Sequence, residues 1–299
     1  MSSKLIGTAV LLVSVSTPVL ASEIDDVYLQ VRPSFVQLVG IGVDGRYSLG
    51  SGVALPDGNI VTSCHVTLRS KRVEPFWGGL TAKAQGQRAD VLHDLCTLQL
   101  PGLSLRPVQI GKSRDLHIGD KVFAVGFNGG RSLTYESGEV ADLFEFDGGM
   151  VIRTTAAFSQ GASGGGLFDE RGRLVGILTF FRVAGEMAYF AVPVEWLQHV
   201  AQLPSDDIHP LEGIPFWADR MERQPAFLQA GALEAGGRWE ELMTFARVWT
   251  QAQPDDGQAW LMLGKAALNT GDHATASAAF ERAAYYRKDY AAQPDSAMR

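Results

Sequence analysis

The chain has little cysteine, no run of basic residues and, after its first residues, no long apolar segment. Only Cys64 and Cys96 occur in 299 residues, so one disulfide at most can form within it. Lysine and arginine number 26 against 33 acidic residues, a net charge of −7, and they form no cluster. That balance argues against nucleic acid or an anionic membrane surface as the main partner. No later segment reaches the ~20 apolar residues that a spanning helix needs.

The first residues are the exception. Lys4 precedes the apolar run LIGTAVLLVSV, and VLA follows Pro18. A positive start, a short apolar stretch and small residues at the −3 and −1 positions read as a signal peptide over 1–21. The mature chain is expected to begin near Ser22 and to be periplasmic or secreted, with no membrane span after cleavage. In that compartment the two cysteines are free to pair. The remaining composition, 46% hydrophobic and 20% charged, is that of a globular protein of about two domains.

Two textures divide the chain. Over 22–203 the apolar runs are short, rich in β-branched and aromatic residues, and broken by Gly, Pro, Asn and Asp, as in FVQLVGIGV, KVFAVGF and MAYFAVPV. These predict an all-β barrel or sandwich closed by one helix, VEWLQHVAQL. Residues 204–215 read as a linker. Over 216–299 the apolar spacing is near 3.6. AGGRWEELMTFARVW and NTGDHATASAAFERA align at an offset of 34, with Gly237 on Gly271, Leu242 on Ala276 and Ala246 on Phe280. This resembles the tetratricopeptide helix-turn-helix, whose small residues let paired helices approach. Two copies are fewer than a free-standing array needs, so they are expected to pack on the β domain.

The chemistry sits in FSQGASGGGLFDE. Ser163 lies among glycines, which let backbone N–H groups converge on one point without side chains intervening. A serine hydroxyl is a weak nucleophile and needs a base, a group to orient that base and donors for the developing oxyanion. The candidate base is His65, in VTSCHV. The candidate orienting group is Asp94, in HDLCTLQL, with Asp90 its nearest rival. Each alone has an ordinary structural reading; all three at the ends of strand-like runs are a stronger signal. Cys64, His65, His93 and Cys96 are also metal-ligand types, but their spacing fits no zinc ribbon or finger. No metal or cofactor is expected.

With these motifs in order, Gly50 to Ala201 resembles the trypsin-like serine proteases of the bacterial HtrA branch. GSGVAL…GNIVTSCHV, HDLCTLQL, GDKVFAVGF, SGEVADL, IRTTAAFSQGASGGGLFDERGRLVGI and YFAVPVEWL carry the likeness. The resemblance implies a multidomain protein. Two six-stranded antiparallel β-barrels hold the site in their cleft, and a small all-α helical-repeat domain follows. It implies that Ser163 attacks, His65 moves the proton, Asp94 orients the imidazole, and the N–H groups of Gly161 and Ser163 form the oxyanion hole. It also places the histidine turn beside the aspartate strand, which implies a Cys64–Cys96 disulfide. Gly166 and Ala162 depart from the proline and asparagine usual in this branch.

By the same likeness the substrate pocket has Ala157 at its base, followed by Phe158. Thr179 and Phe180, within the strand Leu178 to Phe181, form one wall, and Ala191 the other. No aspartate stands at the base, so a small or medium apolar residue is expected before the cut bond. The branch commonly carries a peptide-binding PDZ domain after the protease. The helical repeats stand there instead and are expected to recruit a protein partner or a substrate. A rival reading keeps the protease fold but makes the protein a latent or non-catalytic sensor or scaffold acting through the repeats.

Overall fold

The computed structural model describes residues 23–286 apart from 78, 79 and 185, so the expected signal peptide at 1–21 lies outside the described residues. A short helix α1 (Glu23–Val31) leads into the first sheet. Its strands are β1 (Phe35–Gly42), β2 (Tyr47–Ala54), β3 (Ile60–Thr62), β4 (Ser70–Trp77), β5 (Leu80–Thr81), β6 (Gly86–Asp90) and β7 (Leu95–Gln99). The one-turn helix α2 (Cys64–Thr67) follows β3. The strand order is β5-β4-β1-β2-β3-β7-β6, and all the pairings are antiparallel.

The second sheet holds β8 (Gln109–Ile110), β9 (Lys121–Asn128), β10 (Ser132–Phe146), β11 (Gly149–Thr154), β12 (Gly166–Asp169), β13 (Arg173–Ala184) and β14 (Glu186–Pro193). β9 to β14 form a six-stranded antiparallel ring that closes through β12 and β13, and β8 adds in parallel to β13. This is the expected pair of β-barrel-like sheets, with a seventh strand in each. Short α3 (Leu197–Val200) ends the region, where VEWLQHV reads as one helix.

The segment read as a linker is tied to the first sheet. Gln87 and Asp206 exchange backbone hydrogen bonds at 2.8 and 2.9 Å, Leu211 N–H donates to the Leu68 carbonyl and Phe216 N–H to the Leu92 carbonyl. The chain then forms α4 (Ala226–Ala235), α5 (Trp239–Ala252), α6 (Gly257–Asn269) and α7 (His273–Tyr286). These make two helix-turn-helix units. Gly237 and Gly271 are the equivalent turn positions, with φ of 63° and 82°, a left-handed conformation that glycine adopts without a Cβ penalty. Gly264 is needed for a different reason, close packing: an added Cβ would lie 2.6 Å from the Phe280 ring.

One apolar core runs through the interface of the sheets and on into the helices, from Phe35, Phe123 and Phe168 to Phe227, Leu242, Trp249 and Met262. Phe227 of α4 stacks on Phe144 of β10 at 4.5 Å. The helices thus share a core with the second sheet, chiefly through Phe227 of α4.

Candidate active site

Asp94 is the hub. It ends the turn between β6 and β7 with φ of 58°, an uncommon conformation for a residue with a Cβ. Its N–H donates to the Val91 carbonyl, and its carbonyl accepts the Cys64 N–H. That turn aims a fully buried carboxylate at α2. Oδ1 accepts the His65 backbone N–H at 2.8 Å, and Oδ2 accepts from His65 Nδ1 at 2.7 Å. A carboxylate only accepts, so the proton between them sits on Nδ1, which in a neutral imidazole leaves the lone pair on Nε2. The His65 side chain is 26% exposed, whereas that of Asp94 is 0%.

Two further donors complete Asp94. The Thr179 hydroxyl and the Trp217 indole N–H, the latter at 3.0 Å, both bond Oδ2. Trp217 also meets the His65 ring edge-on at 5.5 Å and stacks on Phe180 at 5.0 Å. Its carbonyl accepts from Arg182 and Gln224, each at 3.1 Å. Sequence reasoning missed Trp217. It falls in IPFWADR, beyond the protease-like segment, and no local pattern shows that the chain folds back onto the histidine turn.

Ser163 comes from the second sheet, between β11 and β12. Its turn is held from the first sheet by Ser51. The Ser51 N–H donates to the Ser163 carbonyl, and its hydroxyl to the Gly161 carbonyl, both at 2.8 Å. Gly164 has φ of 83°, and a Cβ there would lie 2.2 Å from Thr62 Oγ1 and 2.3 Å from the Ser51 carbonyl. The glycine is what lets the two sheets close at the serine. Gly161, at φ 93°, is as tightly placed against Phe127 and Gly130. Among the described residues the N–H groups of Gly161 and Ser163 make no hydrogen bond. The Ser163 hydroxyl donates to the Thr179 carbonyl at 3.3 Å and makes no hydrogen bond to His65.

Cys64 and Cys96 are joined, 32 residues apart, with Cα atoms at 4.9 Å. The bridge ties α2 to β7 on either side of the His65–Asp94 pair. It also engages both sulfurs that a metal site at this place would have needed.

The residues read as pocket lining have mixed placements. Phe158 is buried against Tyr189 and Phe181, and Ala191 is fully buried in the same apolar cluster, with Ala162 and Leu178. Ala157 is half-buried beside them. The Thr179 hydroxyl bonds Asp94, and the Phe180 ring stacks between Phe190 and Trp217. The register of β13 against β14 shifts between Leu178 and Phe180, so Thr179 bulges from the ladder and its carbonyl reaches Ser163.

A second histidine–carboxylate pair lies one residue before Asp94. His93 Nδ1 is 2.6 Å from Asp90 Oδ2, and Nε2 is 2.8 Å from Asp147 Oδ2. Burial disfavours the charged imidazole. The hydrogen bond to Asp90, its charge and that of Asp147 outweigh burial and hold His93 above its ordinary value. Burial likewise opposes the Asp90 carboxylate, but His93 overrides it and leaves Asp90 below the usual range.

Residues 50–177 match the family model of the trypsin-like peptidase domain. A probable periplasmic serine endoprotease, DegP-like, of Ectopseudomonas mendocina is 34% identical over 171 residues, covering 53% of this chain and 36% of its own. The solved structure of the HtrA-type protease AlgW with a tripeptide superposes with a TM-score of 0.55 at 27% identity, over 60% of this chain and 62% of that one. The serine endoprotease from Yersinia pestis gives 0.55 at 28% identity, over 62% and 66%. This chain thus spans about a third to a half of the length of the curated relatives it matches. The sheets have the trypsin-like fold, and the likeness is to its HtrA-type serine proteases.

Proposed function

We propose that the protein is an exported serine endopeptidase of the HtrA type. The observation that carries this reading is the buried Asp94 carboxylate fixing the His65 tautomer at 2.7 Å, beside a serine on a glycine turn from the other sheet. Ser163 Oγ attacks the scissile carbonyl as His65 Nε2 takes its proton. The tetrahedral oxyanion is held by the free N–H groups of Gly161 and Ser163. His65 then protonates the leaving amine as the C–N bond breaks, giving the acyl-enzyme and the first product. Water, activated by His65, hydrolyses the ester and restores Ser163. Each oxyanion donor typically supplies ~3–4 kcal/mol of transition-state stabilisation.

Trp217 acts here as a positioning residue. Its N–H adds a donor to Asp94 Oδ2, the oxygen that also meets His65 Nδ1, and its ring braces His65. The uncharged surroundings of Ala157 and Phe158 support a preference for a small or medium apolar residue before the cut bond. The two helical units are read as tetratricopeptide-like and as a seat for a partner or a substrate.

A fluorophosphonate tests the activity. Intact mass should show one adduct on the wild type and none on Ser163→Ala, with a peptide substrate cleaved only by the former. The orientation of the Ser163 hydroxyl toward Thr179 favours a second reading, a latent protease or sensor in which the serine must first rotate toward His65. A folded protein that takes no adduct would support that reading.

A further inference from the structure

A cavity of about 750 Å³ lies between the second sheet and the helices α4 and α6, away from the serine. Its walls are mainly apolar, with Phe144 and Phe190 from the sheet and Phe227 and Met262 from the helices. Such size and lining suit a small organic ligand, provided a few polar groups fix its orientation. The charged residues on its wall are Arg153, Arg182, Lys265 and Glu234. Lys265 and Glu234 pair at 2.8 Å, which leaves two arginines.

Neither arginine has an acidic partner. Arg153 makes no hydrogen bond or ion pair among the described residues, and its Nε is buried. Arg182 bonds two neutral acceptors, the Trp217 carbonyl at 3.1 Å and Gln224 Oε1 at 2.7 Å. Burial lowers the pKa of Arg182, as expected of a cation without a counter-charge. Both project from the same face of the sheet, since Arg153 pairs with Phe190, and Arg182 lies two residues beyond Phe180 on the neighbouring strand.

We propose that this cavity binds a carboxylate carried on an apolar body. The head group lies at the Arg153 guanidinium, in the field of Arg182, and the apolar part lies against Phe144, Phe190 and Phe227. Guanidinium groups recognise carboxylates through paired, charge-assisted hydrogen bonds. An unpartnered arginine at the edge of an apolar hollow lacks the anion that would complete it. Arg182 also holds the Trp217 carbonyl, so the cavity and the candidate active site share a residue.

Two sources can supply this chemistry, the C-terminus of an apolar peptide and a fatty acid. Titration calorimetry of the purified protein would use an acetylated apolar tripeptide with a free carboxylate, the same tripeptide as its amide, and octanoate. Binding of the tripeptide acid or of octanoate is expected; which of them binds more tightly identifies the source. Arg153→Gln should weaken it at least ~10-fold, as expected for loss of a hydrogen bond to a charged group. Because Arg153 has no protein partner, this variant should keep the wild-type Tm. Gly231→Leu is the steric counterpart. Gly231 lines the cavity, and a Cβ there meets nothing within 4 Å, so the leucine fills the space without displacing a neighbour. It should abolish binding at an unchanged or higher Tm. Equal affinity for the amide, unaltered binding by either variant, or no binding of either acid would overturn the proposal.

Discussion

His65–Asp94 and His93–Asp90 are the same chemical pair built twice within a few ångströms of chain, and they differ in one nitrogen. Both imidazoles set Nδ1 against an aspartate oxygen, at 2.7 and 2.6 Å. In the first pair Nε2 faces the cleft. In the second, Asp147 stands 2.8 Å from Nε2, and the ring stacks on Trp196 at 4.1 Å. A base needs a free lone pair and a route to solvent. A structural cation needs acceptors on both sides. A histidine–aspartate contact does not by itself mark a catalytic site, and the two pairs differ in the carboxylate that stands within ion-pair distance of the far nitrogen of His93.

The largest effect expected from breaking this contrast is at Asp94. Asp94→Asn keeps the shape but can donate to Nδ1, which favours the wrong tautomer. The fall in kcat expected from the handling of the general triad is ~10⁴-fold. The amide NH2 then stands where Oδ2 accepted from Thr179 and Trp217, so the Trp217 N–H loses its acceptor and a modest fall in Tm is expected beside the loss of kcat, while the His65 amide keeps its bond to Oδ1. Asp90→Asn should do the reverse. It leaves the buried His93 with Asp147 as its one acidic neighbour, and losing one partner of a buried pair typically costs ~3–5 kcal/mol. Activity per folded molecule should be nearly kept. A Tm scan beside a peptidase assay separates the two, and a catalytic collapse in Asp90→Asn with an unchanged Tm would erase the distinction.

The disulfide comes next. It fastens α2, which bears His65, to β7, which follows Asp94. The double variant Cys64→Ala, Cys96→Ala should lose ~2–4 kcal/mol in denaturant unfolding. Trp217→Phe should be milder still. It keeps the stack on Phe180 and removes the N–H to Asp94, so kcat should fall ~10-fold with KM little changed, as for the loss of a bond to a charged acceptor. A KM effect alone would mean that Trp217 contacts substrate and does not position the carboxylate.

Much of this was legible in the sequence. The short punctuated strands, the change of period near Phe216, the paired turn glycines Gly237 and Gly271, and the Cys64–Cys96 pairing implied by the family likeness all have counterparts in the structure. His65 and Asp94 come from runs that the fold brings into contact, and Ser163 from a glycine turn bonded to Ser51 and Thr179. Those features are local, or carried by motifs. What was not legible depends on long-range return of the chain. Trp217 reaches Asp94 across 123 residues. The role of Thr179 depends on a bulge that no composition announces. His93 looked like a rival metal ligand because sequence shows residue types and not which atoms face one another. Asp147 closes His93 from a hairpin of the other sheet.

The pH dependence of stability gives the finest test of the second pair. His93 sits above its ordinary value of 6.5, so near neutrality the folded chain holds this proton more tightly than the unfolded chain. Its contribution is fully present below about 6.5 and is lost as pH rises through the raised folded value. Asp90 sits below its ordinary value of 3.8. Its contribution is fully present above about 3.8 and is lost as pH falls through the lowered folded value. The pair should therefore help most between these limits. The Tm advantage of wild type over His93→Gln should be greatest near pH 5 and should shrink steadily toward pH 9. Taking the difference between two proteins cancels the titrations they share. An advantage that grew with pH would mean that His93 is held neutral in the folded chain, with Asp147 turned away, and the two histidines would then differ in solvent access alone.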